Sequence, residues 1–334
     1  MGNRIRKLLV LSLALVLALS LTACVRAQEV YQTGLGVVTS LNRSASASAD
    51  ADGVAEGYST VAAVLLDGEG RIAQCILDVV QSQLKFSNEG KITTDLSAKV
   101  LSKNELGDAY GMKAASAIGK EWYEQAAAFA ASVIGKTADE VVATPMDETG
   151  LPTEPDVLAG VTVHVTDMVA AIVKAAGGAR ALGAGAGDEL RLATTTDVSG
   201  SNDAQAEKNG RARAYNHYFV VTVNGEGKVT SAIIDALQAD VMFDAAGQIT
   251  SDIQTAVATK NELGDAYGMK AASAIGKEWN EQAAAFAAYA VGKTADEIAA
   301  TPLTQEGTAA PDVVAGVTVH VGPFIEGLVK AAKG

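Results

Sequence analysis

The chain has 334 residues, 49% of them hydrophobic and 19% charged, which is long enough for two domains with cores of their own and too apolar for wholesale disorder. Its formal net charge of −13 repels phosphate backbones and argues against nucleic acid as a partner. Only two cysteines, Cys24 and Cys75, are present.

Arg4, Arg6 and Lys7 precede an apolar run over residues 8–21, and Leu21-Thr22-Ala23-Cys24 resembles a bacterial lipobox. That run is short against the roughly 20 residues a membrane-spanning helix needs. Residues 1–23 therefore read as a lipoprotein signal peptide, cut ahead of a lipidated Cys24 that anchors the chain to the membrane through acyl groups. With Cys24 lipidated, no intramolecular disulfide can form. Cys75 lies in an apolar run and reads as a small buried hydrophobe rather than a reactive thiol. Residues 24–56 hold the lipidated terminus, a β-leaning piece at 34–41 taken as a first strand, and a Ser/Ala/Asp-rich run at 44–52 expected to be a mobile loop.

The rest of the chain is an internal duplication. Residues 103–122 recur letter for letter at 260–279, and the register extends to Tyr58 with Tyr215, Asp78 with Asp235, Phe86 with Phe243 and Thr162 with Thr318. A period this long means two tandem domains rather than a solenoid. They are placed at 57–178 and 192–334, joined by a Gly-rich linker at 179–191. Gly183-Ala184-Gly185-Ala186-Gly187 invites a nucleotide-loop reading, but no strand leads into it and no lysine follows.

Within each domain the expected order is strands, then helices. Asp67-Gly68-Glu69-Gly70 and Asn224-Gly225-Glu226-Gly227 join apolar runs at 60–66 and 71–78 and at 219–223 and 228–235, a strong hairpin signal. A further strand pair is expected through Phe86 or Phe243, turning at Gly90 or Gly247. Ile118, Trp122, Phe129 and Val133 recur at helical spacing ahead of a stop at Gly135. Thr137 with Glu140, and Thr294 with Glu297, fit capping boxes of helices that end before Pro145 and Pro302. Last helices are expected over 167–176, capped by Thr166, and over 323–332, opened by Gly322-Pro323. The fold class is α+β: two tandem repeated domains, each an antiparallel sheet followed by helices.

Catalytic candidates are few. No Cys/His cluster has metal-ligand spacing, no Ser-His-Asp arrangement repeats and no haem-attachment motif occurs, so no catalytic or metal residue is assigned. What repeats is an acid, a glycine and a hydroxyl ahead of a helix: Asp156, Gly160 and Thr162, then Asp312, Gly316 and Thr318. A phosphate at such a place would meet free N–H groups and the positive end of a helix dipole. The plainer reading makes both threonines β-branched strand residues leading into a capped helix.

The repeated motif resembles the flavinylation motif of FMN-binding domains, Asp-x-x-Ser/Thr-Gly-Ala-Thr, in which a flavin transferase joins FMN through its phosphate to the threonine. Ala159 and Ala315 stand where that family has Ser or Thr, and Val161 and Val317 where it has Ala. The stretch Gly34-Leu-Gly-Val-Val-Thr-Ser40, the hairpin with Asp78 or Asp235, and the blocks Glu-Leu-Gly-Asp-Ala-Tyr-Gly-Met-Lys, Gly-Lys-Glu-Trp and Gly-Lys-Thr-Ala-Asp-Glu extend the likeness over nearly all of the mature chain. Together they look like the two-domain flavin lipoproteins of Gram-positive bacteria. The resemblance implies an FMN-binding-domain-like fold and two covalent FMN groups, on Thr162 and Thr318. It further implies electron transport from a membrane quinone and NADH dehydrogenase system to extracellular acceptors, at the outer face of the cytoplasmic membrane.

Other residues have two readings each. Tyr110 and Tyr267 are candidates to cover an isoalloxazine ring, as are Trp122 and Trp279, which otherwise serve as core anchors of their helices. His164 and His320 could bond a phosphate or the reduced ring, or simply occupy a strand. Asp108, Lys113, Asp265 and Lys270 could contact flavin or form a solvated helix face. Two other functions stay open: a non-redox surface lipoprotein that binds a small ligand or partner, and a signal peptide that is released as a peptide pheromone.

Overall fold

A computed structural model describes residues 30–310, 314 and 316–334. The expected signal peptide and Cys24 lie outside the described residues, as do Asp312 and Ala315 of the second motif.

Each half begins with a three-stranded antiparallel meander. In the first, β1 (Gln32–Ser40), β2 (Gly53–Leu66) and β3 (Ile72–Phe86) are hydrogen-bonded in sequence order; in the second, β4 (Glu189–Asp197), β5 (Gly210–Val223) and β6 (Val229–Phe243) repeat the arrangement. Both hairpins close through the acid or amide that starts the turn: Asp67 Oδ1 accepts from the Glu69 and Arg71 N–H groups, and Asn224 Oδ1 from those of Glu226 and Lys228. The further strand pair expected through Phe86 and Phe243 does not form. Instead β3 and β6 run unbroken to those residues and end in single bridges, Phe86 to Ile92 and Phe243 to Ile249.

The middle strands have no solvent face, which explains why 60–66 and 219–223 are almost continuously apolar. Val61 and Ala63 face the other half while Ala62, Val64 and Leu66 face the helices, as the two-residue period of a strand dictates. The two sheets therefore stack on one another around a shared core that includes Leu84, Phe86, Val241 and Phe243, with helices on both outer flanks. Phe86 and Phe243 stack across this contact at 4.3 Å and an interplanar angle of 7°.

The helices of the first half are α1 (Lys103–Leu106), α2 (Trp122–Ser132), α3 (Ala138–Val142), α4 (Pro155–Leu158) and α5 (Thr166–Gly177). Those of the second are α6 (Lys260–Leu263), α7 (Trp279–Ala290), α8 (Ala295–Ala299) and α9 (Gly322–Lys333). Capping boxes form at Thr137 with Glu140 and at Thr294 with Glu297, as the sequence predicts. Ile118 falls outside α2, whose start is fixed by Glu121 and Glu124. Thr166 is the first residue of α5 rather than its cap; Val165 holds the cap position with no side-chain bond.

Two stretches expected to be loose are built into the contact between halves. In the 44–52 run, Ala47 N–H donates to Gly247 O at 2.8 Å and Ser46 Oγ accepts from Ile249 N at 3.0 Å. In the junction, Arg180 exchanges two backbone bonds with Thr33, and Asp188 Oδ2 accepts from Gly185 N and from Thr230 Oγ1. β4 starts at Glu189, inside the stretch read from sequence as linker.

Candidate functional site

Thr162 stands in irregular backbone between α4 and α5, not in a strand, and its position is set by one side chain. Gln125 of α2, fully buried, accepts from Thr162 N at 2.8 Å and from Thr162 Oγ1 at 3.1 Å through Oε1. Its Nε2 is held in turn by Ser116 Oγ and Lys120 O, which fixes the amide orientation. Gln282 of α7 does the same for Thr318, at 2.7 Å to N and 3.2 Å to Oγ1, and also accepts from Val319 N. Each hydroxyl thus donates its proton, a bond that leaves its oxygen lone pairs unused.

Thr162 lines a cavity of ≈ 470 Å³ together with Arg43, Tyr58, Lys103, Tyr110, Trp122 and His164. The volume is within the roughly 300–1,000 Å³ typical of small-molecule and cofactor sites. Among the sequence candidates, Thr162, His164 and Tyr110 come together here, and Trp122 serves both as core anchor and as cavity wall. Asp156 is exposed in the first turn of α4, and Gly160 lies against Ala128; neither lines the cavity. Gly316 holds φ +85°, a conformation in which a side chain is strained; the nearest atom to a Cβ there, Lys277 Nζ at 2.7 Å, ends a flexible side chain that can move aside. His320 bridges to Thr308.

The residues that sequence reading missed are Lys103 and Lys260. Each opens a one-turn helix whose capping box, Ser102 with Glu105 or Thr259 with Glu262, satisfies the free N–H groups. Asp78 pins the first of these helices to β3 by accepting from Asn104 N at 3.0 Å, and Asp235 does so for Asn261. The lysine side chain is thereby turned inward: both are 4% exposed. Lys103 Nζ donates to Tyr58 Oη at 3.0 Å and lies 4.9, 4.7 and 5.1 Å from the ring centres of Tyr58, Tyr110 and Trp122. Lys260 Nζ donates to Tyr215 Oη at 2.6 Å and lies 4.5, 4.4 and 4.8 Å from Tyr215, Tyr267 and Trp279. Among the described residues no carboxylate is within ion-pair distance of either ammonium, and desolvation pulls both down to about 8. Burial raises Tyr58 to about 12, so the phenol stays neutral, and likewise raises Tyr215. The same desolvation pushes Asp78 and Asp235 up to about 6 against the bonds they accept.

Lys113 and Asp108, weighed as flavin or phosphate contacts, lie outside the cavity lining. Lys113 N–H donates to Glu121, and Asp108 accepts from the Tyr123 hydroxyl. Lys270 N–H likewise donates to Glu278, and its ammonium meets exposed Asp265 at 3.7 Å. Cys75, expected to be buried, is only half-buried against the first outer core, and desolvation pushes its thiol up to about 12.

The two sites are not copies. Thr60 and Met168 of the first are replaced by His217 and Phe324 in the second. The His217 ring lies 4.3 Å from that of Tyr215, tilted by 38°, and burial holds its imidazole down at about 4, hence neutral. Arg43 lies 4.2 Å over the Tyr58 ring and pairs with Glu56 in the first half, whereas Arg213 occupies the position of Glu56 in the second and pairs with Asp240. A further cavity of ≈ 500 Å³ runs between the halves, lined by residues such as Val37, Lys174, Asp235 and Asn280, and holds neither threonine. Among the described residues no group of acidic, His and Cys side chains could hold a metal ion, and no helix is long and apolar enough to cross a membrane.

No family model matches the chain, and no solved structure matches it. A 127-residue stretch is 33% identical to the protein named chlorophenol reductase from Desulfitobacterium hafniense. The match spans 34% of this chain and 37% of that protein.

Proposed function

We propose that this protein is a lipid-anchored extracellular flavoprotein that carries electrons through two FMN groups, each joined through its phosphate to Thr162 or Thr318. The donor is a membrane quinone and NADH dehydrogenase system, the acceptors lie outside the cell, and a flavin transferase is the maturation partner. An FMN-binding-domain-like fold for each half is part of the same reading.

The observation that carries it is the company Thr162 keeps. A hydroxyl fixed by Gln125 opens onto a cavity walled by Tyr58, Tyr110 and Trp122 with a buried cation beside them. Flat aromatic faces suit a planar ring, and Lys103 suits its polar edge. In the second half Gln282 holds Thr318 in the same way, and the cage of one lysine, two tyrosines and a tryptophan recurs at Lys260. A covalent tether keeps a flavin at high effective concentration beside its pocket, which an exported protein needs. Flavin would supply the redox chemistry, so the chain has only to bind, orient and tune it, a task that aromatic walls with a buried cation among them suit. The stretch shared with a protein named a reductase supports electron-transfer chemistry; the chlorophenol substrate belongs to that protein's name.

The test is coexpression with a flavin transferase followed by denaturation and mass measurement. Yellow colour should survive denaturation with a mass gain of two FMN groups. Thr162→Ala should remove one and Thr318→Ala the other, with the folds retained because neither change opens a large cavity. Colourless protein with both threonines bare would overturn the reading and favour a surface lipoprotein that binds a ligand without redox chemistry.

A further inference from the structure

Lys103 and Lys260 are buried ammonium groups with no carboxylate in ion-pair contact: Glu56 and Asp78 act on Lys103, and Asp235 on Lys260, only from a distance, so desolvation prevails and burial is costly unless something else supplies a closer countercharge. Three ring faces and one phenol oxygen surround each Nζ, and the ring quadrupoles return only part of the lost hydration. The fold spends a capping box and an anchoring aspartate on holding each of these side chains in place. The arrangement is repeated in both halves although the nearby guanidinium comes from different positions, Arg43 in one and Arg213 in the other. Lys103 lines the same cavity as Thr162.

Resting on the proposed flavin attachment, we infer that Lys103 and Lys260 are the counter-cations for the negative charge a flavin ring acquires on reduction, and so set the potential of each site. A flavin held there would receive both electrons and one proton of a membrane quinol, the quinol's second proton passing to solvent, and would then carry one negative charge on its ring. The lysine keeps its own proton and balances that charge across the aromatic cage. The oxidised ring is neutral, so the ammonium favours the reduced form selectively, which is the condition for shifting a potential rather than merely tightening binding. The phosphate is charged in both redox states, and a lysine that served only the phosphate would leave the potential nearly unchanged.

The experiment uses full-length protein matured with a flavin transferase and reduced stepwise by dithionite in a spectroelectrochemical cell. The Thr318→Ala background leaves only the first flavin, and Thr162→Ala only the second. Adding Lys103→Met to the first background, or Lys260→Met to the second, should weaken the reduced form relative to the oxidised form by at least about tenfold. For a two-electron couple that is a midpoint lower by about 30 mV. Lys103→Arg, which keeps the charge, should stay close to the parent. A flavinylated Lys103→Met protein with an unmoved midpoint overturns the inference and leaves the flavin reading standing. A folded Lys103→Met protein that no longer accepts flavin, while Lys103→Arg does, assigns the ammonium to attachment and overturns it as well. Parent protein with no flavin overturns both.

Discussion

At the scale of single residues, the molecule depends on polar side chains held where burial makes them expensive. Gln125 and Gln282 are fully buried, and each spends its carbonyl on a threonine hydroxyl and backbone N–H. Replacing either by an apolar residue would leave that N–H without its partner. Lys103 and Lys260 make a prediction about pH. Their ammonium groups titrate at about 8 in the native protein but at 10.5 in a free chain. Between those values the unfolded state binds more protons, so unfolding free energy rises with pH through that window. Cys75, raised from 9.0 to about 12, acts in the opposite direction once its unfolded thiol ionises. Denaturant titrations at about pH 7.5 and about pH 9 should therefore show a more positive slope for the native sequence than for the double variant Lys103→Met/Lys260→Met. Equal slopes would mean the lysines are not desolvated.

In each half one helix packs onto the sheet at a place where a missing side chain lets it come close. In the first half the removal is on the strand: a Cβ at Gly34 would lie 2.0 Å from Ala175 O and one at Gly36 2.1 Å from Ala171 O, so α5 rests directly on β1. In the second half the corresponding strand residues are Arg191 and Ala193, and the removal moves to the helix. A Cβ at Gly327 of α9 would lie 1.9 Å from the ring of Phe219, which is itself completely buried. Gly327→Ala should overpack this contact and destabilise the protein by about 1–3 kcal/mol. Gly322, which opens the same helix with nothing near its Cβ position, is the control, and urea midpoints compare the two. A Gly327→Ala protein as stable as the Gly322→Ala protein would refute the packing account.

At the scale of the whole molecule, the halves are joined by a face and not by a tether. The shared core takes residues from both sheets, and two clips reinforce it reciprocally. Lys174 of α5 pairs with Glu262 of α6, and Lys330 of α9 pairs with Glu105 of α1. Each clip runs from the helix that follows one threonine to the turn that carries the other site's lysine. These pairs are partly exposed and add little stability. The stacked phenylalanines matter more: Phe86→Ala should lower stability by about 3–5 kcal/mol. Because the core is common to both halves, the loss should appear as one cooperative transition in calorimetry; two separate transitions would show that the halves fold independently.

The sequence alone determined what is local or repeated. Hairpin turns at Asp67 and Asn224, capping boxes at Thr137 and Thr294, and the duplication itself were legible because turn chemistry, capping and internal identity are short-range patterns. The pairing of Thr162 with Tyr110 and His164 could be expected from motif and resemblance, and their shared cavity follows from the fold. Lys103 was hidden because a lysine at a helix start reads as solvated, and only the Asp78 anchor turns it inward. Gln125 left a fainter trace, a polar residue on the apolar face between Trp122 and Phe129. The tertiary structure alone decided that the 44–52 run and the glycine-rich junction are fastened and that the sheets stack. Those outcomes depend on partners far along the chain, as with Ala47 and Gly247 or Arg180 and Thr33, and no local pattern encodes such a contact.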